Sequence, residues 1–266
     1  MFPHKGAKAL ENSGQLRMLL YKFLPSREIA EQVSLGTFRF YELMKYIQME
    51  DSEGRSDSDE CSIAFPKHEW TSFPHKAPKG SFRGVEFSIA STRPSLDYIQ
   101  QYFVFCTSTR KDAASIGDAK YAVELNSDIF DLFEIVLSEA LQQEKSEDLK
   151  LFSHGNIVYY DIHNQPDYKG HKRWKDVYLK HKVFSYQCEY RASLFISGQF
   201  FDELSVEPLQ IANELYDPNF KKMNFDLKIY LRAGVDSSGW RYIEIDTNEF
   251  SKNLCSEPSK IYPTEL

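Results

Sequence analysis

Residues 102–110 read YFVFCTSTR, an apolar run that ends in a block of three hydroxyl side chains. The first seven of them, Tyr102 to Ser108, have the length and aromatic content of a strand. Thr107, Ser108 and Thr109 then stand where that strand ends. Hydroxyls in this place commonly satisfy backbone groups at a turn. The alternative is that they hold a neighbouring carboxylate or a sugar by hydrogen bonds.

Strands outnumber helices on both sides of this run. Apolar and alternating patterns predict further strands over residues 16–24, 37–43, 84–91, 120–126, 156–162, 183–196, 225–234 and 240–246, the last two as a hairpin. Helices are predicted over residues 25–36, with Ser26 as the N-terminal cap and Gly36 in the C-terminal turn, and over residues 127–148. A short helix is predicted over 208–215 and a short basic helix or turn over 171–181. Because helices interrupt the strands irregularly, the pattern favours an α+β fold over a doubly wound parallel sheet.

The chain length of 266 residues fits one large domain. Residues 1–15 predict a loose N-terminal arm, and residues 16–266 predict a single α+β domain. Within that domain, residues 50–62 are dense in acidic and turn-forming side chains, and residues 66–84 are basic and rich in proline. This shift in composition predicts a long excursion from the core at about residues 50–84.

Composition and charge restrict the class of protein. The formal net charge of -7 argues against a general nucleic-acid coat protein, because phosphate binding requires Lys and Arg. No apolar run approaches the length that spans a bilayer, and the N-terminus lacks the apolar core of a secretory signal. The 4 cysteines include no C-x-x-C pair. We therefore expect a cytoplasmic protein without membrane association, and no metal site.

The segment YQCEYR, residues 186–191, places Gln187 and Glu189 two positions apart on a predicted strand. Side chains at this spacing point to one face of a strand. A solvated edge strand explains such a pair, and the same spacing occurs at Gln142 and Glu144 in a polar helix end. A carboxylate beside an amide in an apolar strand is alternatively a candidate catalytic pair.

Two early strands also carry polar groups among apolar residues. Tyr21 and Lys22 lie in LLYKFL, residues 19–24, and Arg39 lies in GTFRF, residues 36–40. A snorkelling lysine or a surface arginine is the common explanation for such positions. The alternative is that these side chains bind a ligand.

The order of these segments along the chain resembles that of the mono-ADP-ribosyltransferase superfamily. In that superfamily an early strand offers an Arg, a His or a similar group to the dinucleotide. A middle strand carries an S-T-S-like triplet, and a late strand carries a catalytic Glu preceded at two residues by Glu or Gln. Thr107, Ser108 and Thr109 match the triplet with Thr in its first place, and Gln187 with Glu189 matches the Q-x-E form.

A second resemblance is more local. The segments LYKF, LGTFRF, FCTS and KHKVFSYQCEYR resemble an uncharacterised bacterial family whose members often sit with phage-defence and toxin–antitoxin genes. This resemblance covers roughly residues 19–196 and leaves residues 197–266 without a counterpart. The first motif departs from the superfamily pattern, because the early strand offers Tyr21 and Lys22, with Arg39 as a substitute.

The resemblance implies an ADP-ribosyltransferase-like split β-sandwich with peripheral helices, and NAD as the co-substrate. Glu189 would stabilise an oxocarbenium-like sugar, Gln187 would meet the acceptor, and the hydroxyl triplet would orient Glu189 and touch the ribose. The remaining cofactor-binding candidates are Tyr21 and Lys22, a stacking wall of Tyr41 or Tyr121, and Arg39 or Arg110 for the pyrophosphate.

The implied function is NAD-dependent mono-ADP-ribosyl transfer to RNA or protein by a toxin or phage-defence effector, with an antitoxin as its partner. The basic run at residues 171–182 favours RNA, although a solvated helix face explains it as well. One alternative is a nuclease whose Mg²⁺ is held by Asp161, His163 and Glu189. The other is a non-catalytic interaction protein that uses the excursion at residues 50–84 as its contact region.

Overall fold

The computed structural model describes residues 18–48, 63–64, 79–82, 85–88, 91–92, 99–112, 119–140, 151–160, 173–216, 224–247 and 260–264. Its strands are β1 (Leu19–Leu24), β2 (Thr37–Glu42), β3 (Ile63–Ala64), β4 (Lys79–Phe82), β5 (Val85–Ser88), β6 (Ser91–Thr92), β7 (Tyr102–Ser108), β8 (Tyr121–Asn126), β9 (Phe152–Asn156), β10 (Val158–Tyr160), β11 (Leu179–His181), β12 (Glu189–Phe195), β13 (Leu209–Tyr216), β14 (Asn224–Val235), β15 (Arg241–Asp246) and β16 (Ile261–Pro263). Its α-helices are α1 (Arg27–Ser34), α2 (Leu43–Gln48), α3 (Asp128–Ala140) and α4 (Gly198–Val206), and two 3₁₀ helices span Arg173–Tyr178 and Lys182–Gln187.

Strand β7 is the branch point of the main sheet. On one edge it pairs along its whole length with β12, from Phe195 opposite Tyr102 to Glu189 opposite Ser108. On the other edge its beginning pairs with β2, and its last residue, Ser108, pairs with Tyr21 of β1. The sheet therefore divides beside β7, and the hydroxyl end of β7 lies between β1 and β12.

The predicted α+β class is confirmed, since the described residues form one 10-stranded sheet with few helices. The sheet order is β13-β14-β15-β2-β7-β1-β8-β16, with β12 joining β7 to β9, and every pairing within it is antiparallel. The predicted arm at residues 1–15 lies outside the described residues. Much of the predicted excursion does too. Its described parts are β3 and β4, which pair with β6 and β5 of the segment that follows it.

The two faces of β7 enter two separate hydrophobic clusters. Phe103 and Phe105 belong to the larger cluster, which includes buried side chains of α1, α3 and α4. Tyr102 and Val104 belong to the smaller one, which includes buried side chains of α2. Alternate residues of a strand point to opposite faces, so the buried run of β7 supplies both clusters at once. A strand buried on both faces needs the near-continuous apolar sequence that β7 has.

The ends of helix α1 follow the predicted capping pattern. The Ser26 hydroxyl accepts a hydrogen bond from the Ile29 N–H, which satisfies one of the free amides of the first turn. Beyond Leu35, Gly36 has φ 99°, a left-handed conformation that glycine adopts at little cost. The Gly36 carbonyl also accepts bonds from the Thr247 amide and hydroxyl, so this turn is tied to the end of β15.

The local patterns predicted some elements wrongly. Residues 208–215 were expected to be helical, but Leu209–Tyr216 forms β13, which pairs along its whole length with β14. Helix α4 and strand β9 had no predicted counterpart. In each case pairing or packing with distant segments outweighs a weak local preference. The helix predicted over residues 127–148 is confirmed for Asp128–Ala140, and its remainder lies outside the described part.

None of the helices in the described ranges combines the length and apolarity that crossing a bilayer requires.

We expect Phe133→Ala to lower the free energy of unfolding by about 3–5 kcal/mol, because it opens a cavity in the larger cluster. The Phe133 ring is fully buried and lies within 5.5 Å of the Phe38 ring and 6.0 Å of the Phe152 ring, centroid to centroid. Val206→Ala is the control, since Val206 is 86% exposed and should change stability by less than about 0.5 kcal/mol. Denaturant unfolding measures both, and equal midpoints for Phe133→Ala and the parent protein would contradict the assigned core.

Candidate active site

A pocket of about 180 Å³ lies where β1, β7 and β12 meet. It brings together six residues predicted from sequence: Tyr21, Lys22, Thr107, Ser108, Gln187 and Glu189. Three segments widely separated in sequence thus converge on one cavity. Its walls also include side chains that the sequence analysis did not select, among them Tyr46, Cys106, Lys180 and Arg191.

Five of the predicted cofactor-binding residues do not line this pocket. Arg39 pairs with Glu244 across β2 and β15 at 2.8 Å, and Tyr41 packs against Tyr242. Tyr121 packs against the larger hydrophobic cluster from β8. Thr109 donates its hydroxyl hydrogen to the Cys188 carbonyl. Arg110, the other candidate for the pyrophosphate, is exposed and pairs with Asp112.

The Glu189 carboxylate is buried between two cations. Arg191 donates from Nε and Nη2 to Oε1 at 2.8 and 2.6 Å, and Lys180 donates from Nζ to Oε2 at 3.1 Å. All three side chains are at least 94% buried. Burial alone would raise the pKa of Glu189, because it disfavours the charged form. The two cations favour the ionised carboxylate more strongly, and they keep the pKa of Glu189 far below its usual range.

The sequence analysis missed both cationic partners of Glu189. Arg191 stands two residues after Glu189 on β12, so both side chains share one face. An Arg within an entirely buried strand was the available signal, because such a charge needs a partner. Lys180 carried no such local signal. It belongs to β11, whose short parallel pairing with β10 brings it to the site.

The hydroxyl block supports the backbone beside Glu189, and its hydroxyls donate to carbonyl groups and not to the Glu189 carboxylate. The Ser108 hydroxyl donates to the Gln187 carbonyl at 2.8 Å, and the Thr107 hydroxyl donates to the Tyr190 carbonyl at 2.9 Å. Both hydroxyls are buried. The expectation that the triplet orients Glu189 directly therefore needs correction: the hydroxyls fix the chain on either side of Glu189, and the cations fix its side chain.

Gln187 and Glu189 do not share one strand as predicted. Gln187 ends the 3₁₀ helix Lys182–Gln187, and β12 begins at Glu189. Between them Cys188 has φ 43°, a left-handed conformation that is strained for a residue with a side chain. The break turns the chain sharply, yet both Gln187 and Glu189 are buried and line the pocket. Tyr159 stabilises this turn by accepting the Glu189 N–H at 2.8 Å.

Among the described residues of the pocket lining, cationic side chains outnumber carboxylates. The lining includes three cationic side chains, Lys22, Lys180 and Arg191, and one carboxylate, Glu189. Burial lowers the pKa of Lys22, and it raises the pKa of the neighbouring Cys106 thiol to about 12. Cys106 therefore stays a neutral thiol at physiological pH. Burial also raises the pKa of Tyr46 well above its usual value, so this phenol is neutral too.

The structure describes one of the three metal ligands of the nuclease alternative, Glu189. Asp161 and His163 lie outside the described residues. Among the residues that are described, no three His, Cys, Asp or Glu side chains form a group that could hold a metal ion. Both oxygens of the Glu189 carboxylate already accept hydrogen bonds from cations.

Comparison with known proteins identifies no relative: no family model, no curated protein and no solved structure matches this chain.

We expect the turn at Cys188 to tolerate glycine and to reject a β-branched residue. Cys188→Gly relieves the strain of the left-handed backbone but makes the unfolded chain more flexible, and these two effects oppose each other. The free energy of unfolding of this variant should therefore stay within about 0.5 kcal/mol of that of the parent protein. Cys188→Val should cost about 1–2 kcal/mol more than Cys188→Gly. Thermal or denaturant unfolding compares the two variants. Equal stability of the Val and Gly variants would show that this residue is not held at positive φ.

Glu189→Gln should lower the free energy of unfolding by about 3–5 kcal/mol, since it leaves two buried cations without their carboxylate. The partly exposed pair Arg39–Glu244 supplies the control, and Glu244→Gln should cost about 1 kcal/mol or less.

The pKa of Glu189 is lower in the folded protein than in the unfolded chain. The contribution of Glu189 to the free energy of unfolding is therefore complete above the unfolded pKa of about 4.3 and is lost as pH falls through the folded pKa. The stability difference between parent and Glu189→Gln should therefore narrow in acid. A difference that stays constant down to the acid transition would argue against the buried triad.

Proposed function

We propose that this protein is an NAD-dependent mono-ADP-ribosyltransferase. The observation that carries the proposal is the convergence of the three predicted motifs on one pocket. Ser108 stands directly opposite Glu189 on one side and Tyr21 on the other, as their strand pairings place them. A random set of weakly matching segments would have no reason to meet on three adjacent strands around one cavity.

Glu189 has the properties that the reaction requires of its acid. Breaking the bond between nicotinamide and ribose sends the bonding electron pair to the nicotinamide and leaves positive charge on the sugar. A fixed, ionised carboxylate stabilises that charge and can accept a hydrogen bond from the ribose 2′-hydroxyl. The two cations hold Glu189 ionised and fixed in position. Glu189 would therefore act by electrostatic stabilisation of the transition state. Its lowered pKa makes it a poor general base.

The pocket residues fit the nicotinamide–ribose end of the co-substrate. Tyr21 and Tyr46 provide aromatic surface, and Lys22 provides a cation on the early strand in place of the Arg or His of the superfamily. A volume of about 180 Å³ is smaller than the roughly 300–1,000 Å³ of pockets that enclose a whole ligand, so the adenosine end would lie outside it. Gln187 lines the same pocket and would contact the acceptor.

The division of the main sheet beside β7 also supports this assignment, because the superfamily fold is a split β-sandwich. We extend the proposal to the biology that the resemblance implies. The protein would act in the cytoplasm as a toxin or phage-defence effector, modify RNA or protein, and be restrained by an antitoxin.

The test removes the carboxylate together with Lys180, one of its two cation partners, so that Arg191 alone loses its counter-ion. Lys180→Met and the double variant Glu189→Gln/Lys180→Met differ only in the charge at Glu189. At saturating NAD, the double variant should release nicotinamide at least about 100-fold more slowly than Lys180→Met, the usual loss when one charge-stabilising group is removed. Nicotinamide release is measured in the presence of cell lysate with NAD that is labelled in its nicotinamide. A parallel reaction uses NAD labelled in its ADP-ribose part, and its RNA and protein fractions are counted separately.

Circular dichroism and thermal unfolding must show that both variants are folded before their rates are compared. Label in the RNA fraction or the protein fraction of the parent reaction identifies the acceptor class. The proposal fails when the folded parent protein releases no nicotinamide and labels neither fraction, or when the double variant reacts as fast as Lys180→Met.

A further inference from the structure

A second cluster of titratable side chains lies between helix α3 and strand β9, and none of its members lines the pocket. The ring Nε2 of His154, on β9, lies 3.4 Å from a carboxylate oxygen of Asp131 and 3.4 Å from one of Glu134. Both acids belong to α3 and stand three positions apart, so they share one face of that helix. The ring Nδ1 of His154 lies 2.5 Å from the Tyr190 hydroxyl of β12. His154 therefore connects α3 to two strands of the main sheet.

The His154 ring is largely removed from water. Its side chain is 11% exposed, and its ring centroid lies 6.1 Å from that of Phe130 and 6.2 Å from that of Phe152. Burial disfavours the charged imidazolium and by itself would lower the pKa of His154. The two carboxylates favour the charged form more strongly, so the pKa of His154 is raised above its usual value. The ring thus keeps its second proton to a higher pH than an exposed histidine does.

The Tyr190 hydroxyl can serve both protonation states of His154. Burial raises the pKa of Tyr190, so its phenol stays neutral. When His154 is charged, its Nδ1–H donates to the Tyr190 oxygen. When His154 is neutral with its proton on Nε2, Nδ1 accepts the Tyr190 hydroxyl hydrogen. Tyr178 faces the cluster from the 3₁₀ helix Arg173–Tyr178, and burial raises its pKa to about 12, so it is neutral as well.

We propose that His154 is a proton-controlled clasp that holds helix α3 against the main sheet. With a proton on each ring nitrogen, Nε2–H faces the carboxylates of Asp131 and Glu134 and holds them by a charge-assisted contact. Loss of one proton leaves a neutral ring, whose contact with a carboxylate is weaker. The apolar side chains of α3 remain packed in the larger hydrophobic cluster. Deprotonation therefore loosens α3 at its polar face without unfolding it.

The clasp should be firm in mild acid and loose in base. The pKa of His154 is higher in the folded protein than in the unfolded chain. Its contribution to the free energy of unfolding is therefore complete below the unfolded pKa of about 6.5 and is lost as pH rises through the folded pKa. Glu189 behaves in the opposite way, because its contribution is lost as pH falls. The two charge clusters are thus distinguished by the direction of their pH dependence.

The first test titrates His154 in the full-length protein by NMR of the imidazole carbons, with its signal assigned by comparison with His154→Gln. The parent should show a pKa above 6.5. In Asp131→Asn/Glu134→Gln, burial acts without the carboxylates, so the pKa of His154 should fall below 6.5. Asp202→Asn is the matched control, because Asp202 is exposed on α4 and is not one of the carboxylates that His154 contacts. It should leave the pKa of His154 at the parent's value.

The second test measures how firmly α3 is held. The parent should melt about 1–3 °C above Asp131→Asn at pH 6, and this difference should disappear by pH 9. Hydrogen exchange of residues 128–140 is compared with that of residues 27–34 in α1, each corrected for the intrinsic rate at the same pH. Relative to α1, α3 of the parent should exchange faster at pH 9 than at pH 6, whereas His154→Gln should show one ratio at both.

Each measurement can overturn the clasp. It is refuted if the pKa of His154 is at or below 6.5 in the parent, or if it is the same in Asp131→Asn/Glu134→Gln as in the parent. It is equally refuted if the melting difference between the parent and Asp131→Asn does not change with pH, or if the exchange ratio of the parent does not. Asp131 is 56% exposed, so Asp131→Asn decides the matter alone if His154→Gln does not fold.

Discussion

The Glu189 carboxylate, buried between Arg191 and Lys180, is the interaction on which the site depends. Removing ions from water is costly, and a buried pair compensates that cost only when geometry and further hydrogen bonds are good. Here Arg191 donates two hydrogen bonds to one oxygen of Glu189, and Lys180 donates one to the other oxygen. The Val177 carbonyl accepts a further hydrogen bond from Arg191. These contacts join β11 and the 3₁₀ helix Arg173–Tyr178 to the main sheet. The same charges that shape the pocket thus also hold its walls together.

The position of the site follows from the branching of the sheet at β7. That strand ends between two antiparallel neighbours, with Tyr21 on one side of Ser108 and Glu189 on the other. The end of β7, the start of β12 and the middle of β1 bring backbone and side chains from distant segments into one small volume. Rigid strands position functional groups more accurately than loops do. The carboxylate therefore rests on an element that is buried along its whole length.

Two sets of contacts divide the task of fixing Glu189. The hydroxyls of Thr107 and Ser108 bond to carbonyls on either side of it, and Tyr159 accepts its N–H. The cations act on the side chain alone. This division permits the backbone turn at Cys188 to be tight and strained while the carboxylate stays in one orientation. A preorganised, ionised acid is suited to stabilising charge that develops on a bound sugar, which is the chemistry we propose.

Sequence by itself determined the α+β class, the strand character of β1, β2, β7 and β8, the caps of α1 and the candidate residues Tyr21, Lys22, Ser108, Gln187 and Glu189. These features depend on alternation, capping and residue type, which are local properties. Only the tertiary structure decided that Glu189 is paired with Arg191 and Lys180 and that Arg39, Tyr41 and Tyr121 lie elsewhere. Strand pairing between distant segments sets those relations, as it also made β13 a strand. Which strands pair depends on burial and charge compensation across the whole fold. A short stretch of neighbouring residues does not contain the information on which distant strand it will pair with.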